Sequence, residues 1–342
     1  MPLYASTFPA GFGEVIKSAV HEALPDAAID RIDESIVLYR SDAKREKICA
    51  LRFFQNTFLV LSLTEINEGS AEDQLKSLIG SVRSDEQLDH SISSSVSQKN
   101  KGYTVLASVE NRLTSIPVFA LQKLEKRLSS VGNFQVHRQK PDSAFWLMVR
   151  REGYGFLGIR LTHRNEKDHA RAQGELRPEI AHLLCLLSHP QPDDIFLDPC
   201  CGSGAIPLER AKSVPYARII TGDDDPNAVK ALTQKSASLK NFSVHKMDAT
   251  LLTGIKDGTI STIVTDPPWG LFQKIDVTAF LQGFLNACHR VLKIGGLLVV
   301  LTGAKDLFDH AVDAMPATWE KMSVHHVLVS GKKAGVYVLR RR

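Results

Sequence analysis

The chain has 342 residues, 43% hydrophobic and 23% charged, with a formal net charge of +4. That length and apolar content suit about two packed domains and exclude a disordered polymer. No run approaches the roughly 18 apolar residues of a membrane span, and the amino terminus lacks a basic stretch leading into an apolar one, so the expectation is a cytoplasmic protein with no membrane partner.

In chain order, the segment Tyr4 to Gly13, a helix through Val15 to Leu24, and strands around Ile36 to Tyr39 and Phe58 to Leu63 predict a small α/β module. Ser91 to Ser97 is serine-rich and short, and reads as a loop. Charge then changes sign: residues 1–98 hold 9 basic and 15 acidic residues, whereas 99–167 hold 13 basic and 5 acidic. The basic portion predicts a strand from Tyr103 to Val109, a helix from Ile116 to Leu128, and strands from Ala144 to Val149 and Phe156 to Ile159. Positive charge gathered in one segment favours a phosphate backbone. The candidates for that contact are Arg112, Lys123, Lys126, Arg127, Arg138, Lys140, Arg150 and Arg151, although any single one of them can be an ordinary solvated charge.

The second half alternates strand and helix. Asp194 to Asp198 is a short apolar run that reads as a buried parallel strand. It feeds Pro199-Cys200-Cys201-Gly202-Ser203-Gly204, where two glycines let a ligand lie against the main chain, and a helix begins at Ala205 with Pro207 in its first turn. Neither the dinucleotide fingerprint nor a triphosphate loop is completed, which disfavours phosphate binding. A second strand, Arg218 to Gly222, leads to Asp223 and Asp224; Asp225-Pro226-Asn227 reads as the cap and first turn of a helix through Val229 and Leu232. A third strand, Phe242 to Met247, has Asp248 and Ala249 at its tip. A fourth, Thr262 to Thr265, ends in Asp266.

Four strands thus close on aspartates. One such residue is readily a helix cap, but four in succession beside a Gly-Ser-Gly turn suit a ligand with ribose hydroxyls, an adenine edge and a charged tail, as in S-adenosyl-L-methionine. The predicted ligand residues are Asp198, Cys200, Gly202, Ser203, Gly204, Asp223, Asp224, Asp248, Ala249 and Asp266. In Asp266-Pro267-Pro268-Trp269-Gly270, a carboxylate and a carbonyl can accept both N–H bonds of an exocyclic amine while Trp269 offers a flat face to a base. A covalent attack on a pyrimidine C5 needs a cysteine near this loop, and none lies between Met247 and Ala287.

A helix from Ala279 to Leu292 follows, then a turn at Lys293 to Gly296, a strand from Leu297 to Leu301, a helix near Asp306 to Met315, and a hairpin pairing Val324 to Val329 with Gly335 to Leu339. The five cysteines, Cys49, Cys185, Cys200, Cys201 and Cys288, show no C-x-x-C spacing and predict neither a disulfide framework nor a metal site. The histidines, among them His163, His169, His325 and His326, form no spaced cluster.

These motifs resemble those of the THUMP-containing RNA methyltransferases that make N2-methylguanosine in tRNA, which carry a similar Asp-Pro-x-Cys-Gly-Ser-Gly run and an Asp-Pro-Pro-Tyr-Gly loop. Leu176-Arg177-Pro178-Glu179 is similar to a family motif ahead of the first strand, which adds Arg177 and Pro178 to the cofactor candidates. Cys200, Ala205 and Trp269 depart from the family's usual aromatic, Thr and Tyr. The resemblance, carried by residues 165–342, implies a doubly wound, Rossmann-like, seven-stranded α/β methyltransferase sheet with an antiparallel terminal hairpin, preceded by a smaller THUMP-like α/β region that binds RNA. The expected division is a ferredoxin-like α/β region at 1–98, a THUMP-like core at 99–165 and a class I methyltransferase domain at 166–342. The resemblance implies tRNA as the RNA partner and Asp266, Pro267, Pro268 and Trp269 as the catalytic loop. Ribosomal RNA guanine-N2 or adenine-N6 methylation, a non-catalytic RNA-binding role and an auxiliary subunit stay open.

Overall fold

The computed structural model describes residues 1–82, 86–95, 102–132, 135–139, 141–162, 175–270 and 276–342. The chain divides into two compact units, Met1–Thr7 with Val20–Asn165, and Phe8–Ala19 with Glu166–Arg342.

The first unit is built on a nine-stranded sheet. Its strands are β1 (Leu3–Thr7), β2 (Ala28–Ile32), β3 (Ile36–Arg40), β4 (Asn56–Glu65), β5 (Gly102–Val109), β6 (Arg112–Leu113), β7 (Gln135–Val136), β8 (Ser143–Arg150) and β9 (Tyr154–Arg160). They lie in the order β2-β3-β1-β4-β9-β8-β5-β6, with β7 also on β5. Strands from either side of residue 98 therefore share one sheet: β4 and β9 pair antiparallel, with Phe58 opposite Arg160 and Leu63 opposite Phe156. The division expected at that residue separates no compact units. The expected boundary near 165 and the histidines at 163 and 169 fall outside the described residues.

After the helices α1 (Gly13–Ala23) and α2 (Arg45–Cys49), one face of this sheet is closed by α3 (Ala71–Ser81), α4 (Glu86–Ser95) and α5 (Val118–Gly132). Leu75, Leu78, Leu88, Ile92, Leu124 and Leu128 from these helices pack against Tyr103, Phe145, Leu147 and Leu157. The loop expected over Ser91 to Ser97 is corrected here, since Ser91 to Ser95 continue α4. Leu88 and Ile92 stand four residues apart on one helical face, and their burial outweighs the modest helix preference of the serines.

The second unit carries α6 (Pro178–Leu187), β10 (Ile195–Asp198), α7 (Ala205–Ser213), β11 (Arg218–Asp223), α8 (Pro226–Lys235), β12 (Phe242–Lys246), β13 (Ile260–Thr265), α9 (Val277–Val291), β14 (Leu292–Thr302), α10 (Lys305–Asp313), β15 (Trp319–Val329) and β16 (Lys332–Arg341). The seven strands lie in the order β12-β11-β10-β13-β14-β16-β15. The first five run parallel, and β16 enters antiparallel between β14 and β15. This is the doubly wound sheet with a terminal hairpin that the sequence predicts. Chain order reverses between β10 and β13, so their carboxyl ends diverge into a crevice where ligands settle in such sheets.

The core of this unit joins Phe284, Leu285, Cys288 and Val291 of α9 to Leu298 and Val300 of β14 and to Ile263 of β13. The turn expected at Lys293 to Gly296 is absorbed into β14, which runs from Leu292 with Gly295 at φ +77°. Phe8–Ala19 belongs to this unit although it lies near the amino terminus. A Cβ on Gly11 would stand 2.0 Å from the His326 carbonyl oxygen, so only glycine permits that approach to β15.

Candidate active site at the carboxyl edge of the sheet

β10, β11 and β13 end on or beside the aspartates that the sequence singles out, and β12 stops two residues before Asp248. Asp198 is fully buried; its Oδ1 accepts the Cys200 amide at 3.2 Å. Burial pushes its carboxyl up to about 8, while the Thr265 hydroxyl and the Cys200 amide draw it down. No hydrogen-bond partner of good geometry meets its Oδ2 among the described residues. A buried carboxylate oxygen left so is costly unless a ligand donor reaches it.

Asp223 ties β11 to the glycine turn. Its Oδ2 accepts the Gly202 amide at 2.7 Å and its Oδ1 accepts the Asp225 amide at 3.1 Å. Burial raises its carboxyl above the ordinary range, against the pull of these two amides. Asp225 caps α8, accepting the Asn227 amide at 2.9 Å as the sequence predicts. Asp248 Oδ1 accepts both the amide and the hydroxyl of Thr250, at 2.8 and 2.6 Å.

The two glycines of the turn serve different ends. Gly202, at φ +48°, has nothing within 4 Å of where a side chain would begin, and it opens into the crevice. Gly204, at φ +87°, caps α7, and a Cβ there would stand 2.3 Å from Leu232 Cδ1. Its bareness seats α8 and does not admit a ligand.

After β13 the chain turns through Asp266-Pro267-Pro268-Trp269. The Trp269 indole Nε1 donates to Asp266 Oδ1 at 2.8 Å. Burial pushes the Asp266 carboxyl up to about 7, and this hydrogen bond opposes the rise.

A cavity of about 990 Å³ joins the two motifs. Pro199, Cys200 and Gly202 form one wall, Asp223, Asp224 and Asp225 another, and Met247 to Thr250 a third; Asp266, Pro268, Trp269, Gly270 and Phe280 close it. Of the residues expected from sequence, the cavity gathers Cys200, Gly202, Asp223, Asp224, Asp248, Ala249, Asp266, Pro268 and Trp269. Asp198 lies buried among them, while Ser203, Gly204 and Pro267 support the turns without lining the space. Arg177 and Pro178 are not brought to the cavity: Arg177 precedes α6 and its guanidinium approaches Glu179 at 4.0 Å. Phe280, Met247 and Thr250 are additions; Phe280 reads in the sequence as one more apolar position of α9.

The basic candidates of the first unit separate. Arg150 is corrected: it is buried, hydrogen-bonded to Asn111 and Ser35 and close to Glu152, so it holds β8 in place and is not free for a phosphate. Arg127 pairs with Asp89, Arg138 with Glu125 and Arg151 with Glu34. Arg112, Lys123 and Lys126 are exposed, and Lys140 lies outside the described residues.

Residues 165–334 match the model of UPF0020, described as the RMKL-like methyltransferase domain. Through those residues the chain belongs to this methyltransferase family. Beyond the family match, the chain is 32% identical over 183 residues to the mouse protein named tRNA (guanine(6)-N(2))-methyltransferase THUMP3, a stretch that covers 48% of this chain and 36% of that protein. The chain therefore spans little more than a third of that relative's length. Among solved structures, TrmN from Thermus thermophilus superposes over the whole of both chains with a TM-score of 0.79 at 21% identity. SMU.472, solved in complex with SAH, superposes over all of this chain and 98% of its own, with a TM-score of 0.68 at 12% identity. At these identities the likeness is one of fold, that of class I methyltransferases.

Proposed function

We propose that this protein uses S-adenosyl-L-methionine to methylate the N2 amine of guanine in tRNA. The observation that carries the reading is the shared cavity: the glycine turn with its aspartates and the Asp266 loop open into the same space. The name of the mouse relative, the fold shared with the Thermus structure and the SAH bound in SMU.472 support it.

The residues present fit the cofactor. The open side of Gly202 leaves room for a nucleoside, the Asp223 and Asp248 carboxylates supply acceptors for ribose hydroxyls and an adenine amine, and the unmatched Asp198 Oδ2 suits the donor of an ammonium tail. When bound, the cofactor supplies an electrophilic methyl group on a sulfonium.

The protein's part is to make a poor nucleophile competent. The lone pair of an exocyclic purine amine is delocalised into the ring. Asp266 accepts an N–H bond from it, which orients the nitrogen with its lone pair directed at the methyl position. Asp266 then takes the proton released by the methylated nitrogen. Trp269 and Phe280 offer apolar faces to an extruded base. Pro268 stiffens the loop, so that little conformational freedom is lost when the base arrives.

The first unit supplies the grip on RNA in this reading, as a THUMP-like module bearing Arg112, Lys123 and Lys126. The reaction is tested by incubating the protein with labelled S-adenosyl-L-methionine and tRNA from cells lacking its gene, then digesting the RNA and identifying the methylated nucleoside by mass spectrometry. N2-methylguanosine is expected; label confined to another nucleoside or to no RNA overturns it. Asp266→Ala should abolish transfer and spare cofactor affinity.

A further inference from the structure

Trp269 stands where a flat face alone would serve for stacking, yet its indole nitrogen is not turned to solvent. It donates to Asp266 Oδ1 at 2.8 Å, within the loop that the reaction uses. The opposite side of the ring is fixed by a neighbour outside that loop. Gly303 follows β14, and a Cβ built there would stand 2.3 Å from Trp269 Cε3 and 2.8 Å from Cδ2. Real side chains do not approach so closely. The benzene half of the indole therefore rests on bare backbone, and any larger residue at 303 must push it away. Gly270, at φ +76°, lets the chain turn immediately after Trp269, and a Cβ there would meet Val277 Cγ2 at 2.6 Å.

A carboxylate has two oxygens, and an indole N–H can occupy only one. With Oδ1 taken, Oδ2 is the oxygen left for an incoming amine, and the side chain cannot rotate without breaking the bond. A phenol at position 269, as in the related Asp-Pro-Pro-Tyr loops, carries its polar group at the far end of the ring and has no donor at this place. We propose that Trp269, seated on Gly303, is a positioning residue for Asp266: its indole N–H locks the carboxylate with a single oxygen presented to the substrate amine. This rests on the function proposed above.

The bond has a second consequence, because it favours the ionised carboxylate over the protonated one. Only the ionised form accepts at both oxygens, so the acid limb of the reaction should follow Asp266. The other titratable groups lining this space are Cys200 after β10, Asp223 to Asp225 at and after the end of β11, and Lys246 and Asp248 at and after the end of β12, with Asp198 buried beside them. Among them, burial and then the charges of Asp223 and Asp266 raise the Asp198 carboxyl, so ionising Asp266 makes Asp198 harder to ionise.

The test has one arm free of catalysis. The chain has three tryptophans, Trp146, Trp269 and Trp319, and the indole ¹⁵N–¹H resonance of Trp269 is assigned by its loss in Trp269→Phe. In the wild-type protein it should shift as Asp266 ionises, with a midpoint near 7, and this response should vanish in Asp266→Asn. In the kinetic arm, Trp269→Phe keeps an aromatic face but no donor, and the acid limb of kcat/KM should move upward by about one pH unit. Gly303→Ala should move it the same way, and should add little in the Trp269→Phe background, as expected of residues acting through one contact. An indole resonance that ignores pH while Asp266 titrates, or an acid limb unmoved in Trp269→Phe, overturns the proposal. A titrating indole with no methyl transfer to any RNA upholds the Trp269 and Asp266 lock and overturns the RNA reading instead.

Discussion

The Gly202 amide donates to Asp223 Oδ2 at 2.7 Å, so the glycine turn after β10 is held by the carboxylate that ends β11. Asp223 thereby has two duties, shaping the turn and facing the cavity. Asp224 lines the same space but is exposed. Replacing Asp223 by Ala removes an acceptor from the ligand and also frees the turn. A hydrogen bond to a charged group contributes about 1.5–3 kcal/mol, so Asp223→Ala should weaken S-adenosyl-L-methionine binding roughly 10- to 100-fold. Asp224→Ala should weaken it less than about threefold. Calorimetric titration of both variants checks this, and equal losses would refute the division.

Gly202 and Gly204 predict opposite phenotypes. Gly204→Ala must carry a Cβ at φ +87° into Leu232, which costs about 1–2 kcal/mol for the backbone alone and more for the displaced leucine. Thermal melting of the ligand-free protein should fall by several degrees. Gly202→Ala meets no neighbour, so its stability loss should be limited to the backbone term, while its methyl group intrudes on the ligand's side of the turn. Cofactor affinity should suffer most there. A Gly202→Ala protein that melts early but binds normally would contradict the assignment.

These two glycines also mark how far the sequence could be read. Apolar runs ending in Asp198, Asp223 and Asp266 follow from strand period and chain order, which dictate that the carboxyl ends of parallel strands meet on one edge. That Gly204 answers to Leu232, some thirty residues on, is a packing fact that no local pattern carries. Phe280 was illegible for the same reason, since an apolar residue facing a cavity looks like one facing a core. Ser91 to Ser95 deceived through composition, because Leu88 and Ile92 supply the anchoring and the serines merely tolerate it. Arg150 reads as a member of a basic patch because its partners Asn111 and Ser35 are distant in sequence.

Stability of the ligand-free protein should decline as pH rises across the neutral range. Burial holds Asp198 up to about 8 and Asp266 up to about 7, against an ordinary carboxyl of 3.8. Between about pH 4 and 7 the folded protein thus binds more protons than the unfolded chain. By linkage, the unfolding free energy falls with pH in that window, because ionising each buried carboxylate is penalised only in the folded state. Each such group contributes a slope of about 1.4 kcal/mol per pH unit at most. Asp266→Asn should remove one share of that slope, leaving the variant's stability curve flatter than the wild type from pH 5 to 7. Urea unfolding at several pH values measures both curves, and parallel curves would show that Asp266 is ionised throughout.

The basic candidates of the first unit should divide by burial, not by charge. Lys123 and Lys126 lie three apart on the exposed side of α5, a spacing that places both ammonium groups on one helical face. The exposed Phe119, four residues before Lys123, extends that face with an aromatic ring on which an unpaired base can stack. Lys123→Glu with Lys126→Glu should leave the melting temperature within about 2 °C, weaken tRNA binding at least tenfold, and lower the salt dependence of log K by about 1.4, the share of two phosphate contacts on a single strand. Arg150→Ala behaves differently, because it strands Glu152 and leaves a void against Asn111 and Ser35. Breaking one side of a buried pair costs about 3–5 kcal/mol, so this variant should melt markedly earlier, yet keep the wild-type salt slope in whatever fraction remains folded. If Arg150→Ala instead lowered the slope with an unchanged melting temperature, the arginine would be a phosphate ligand and its burial against β8 would be the wrong guide to its role.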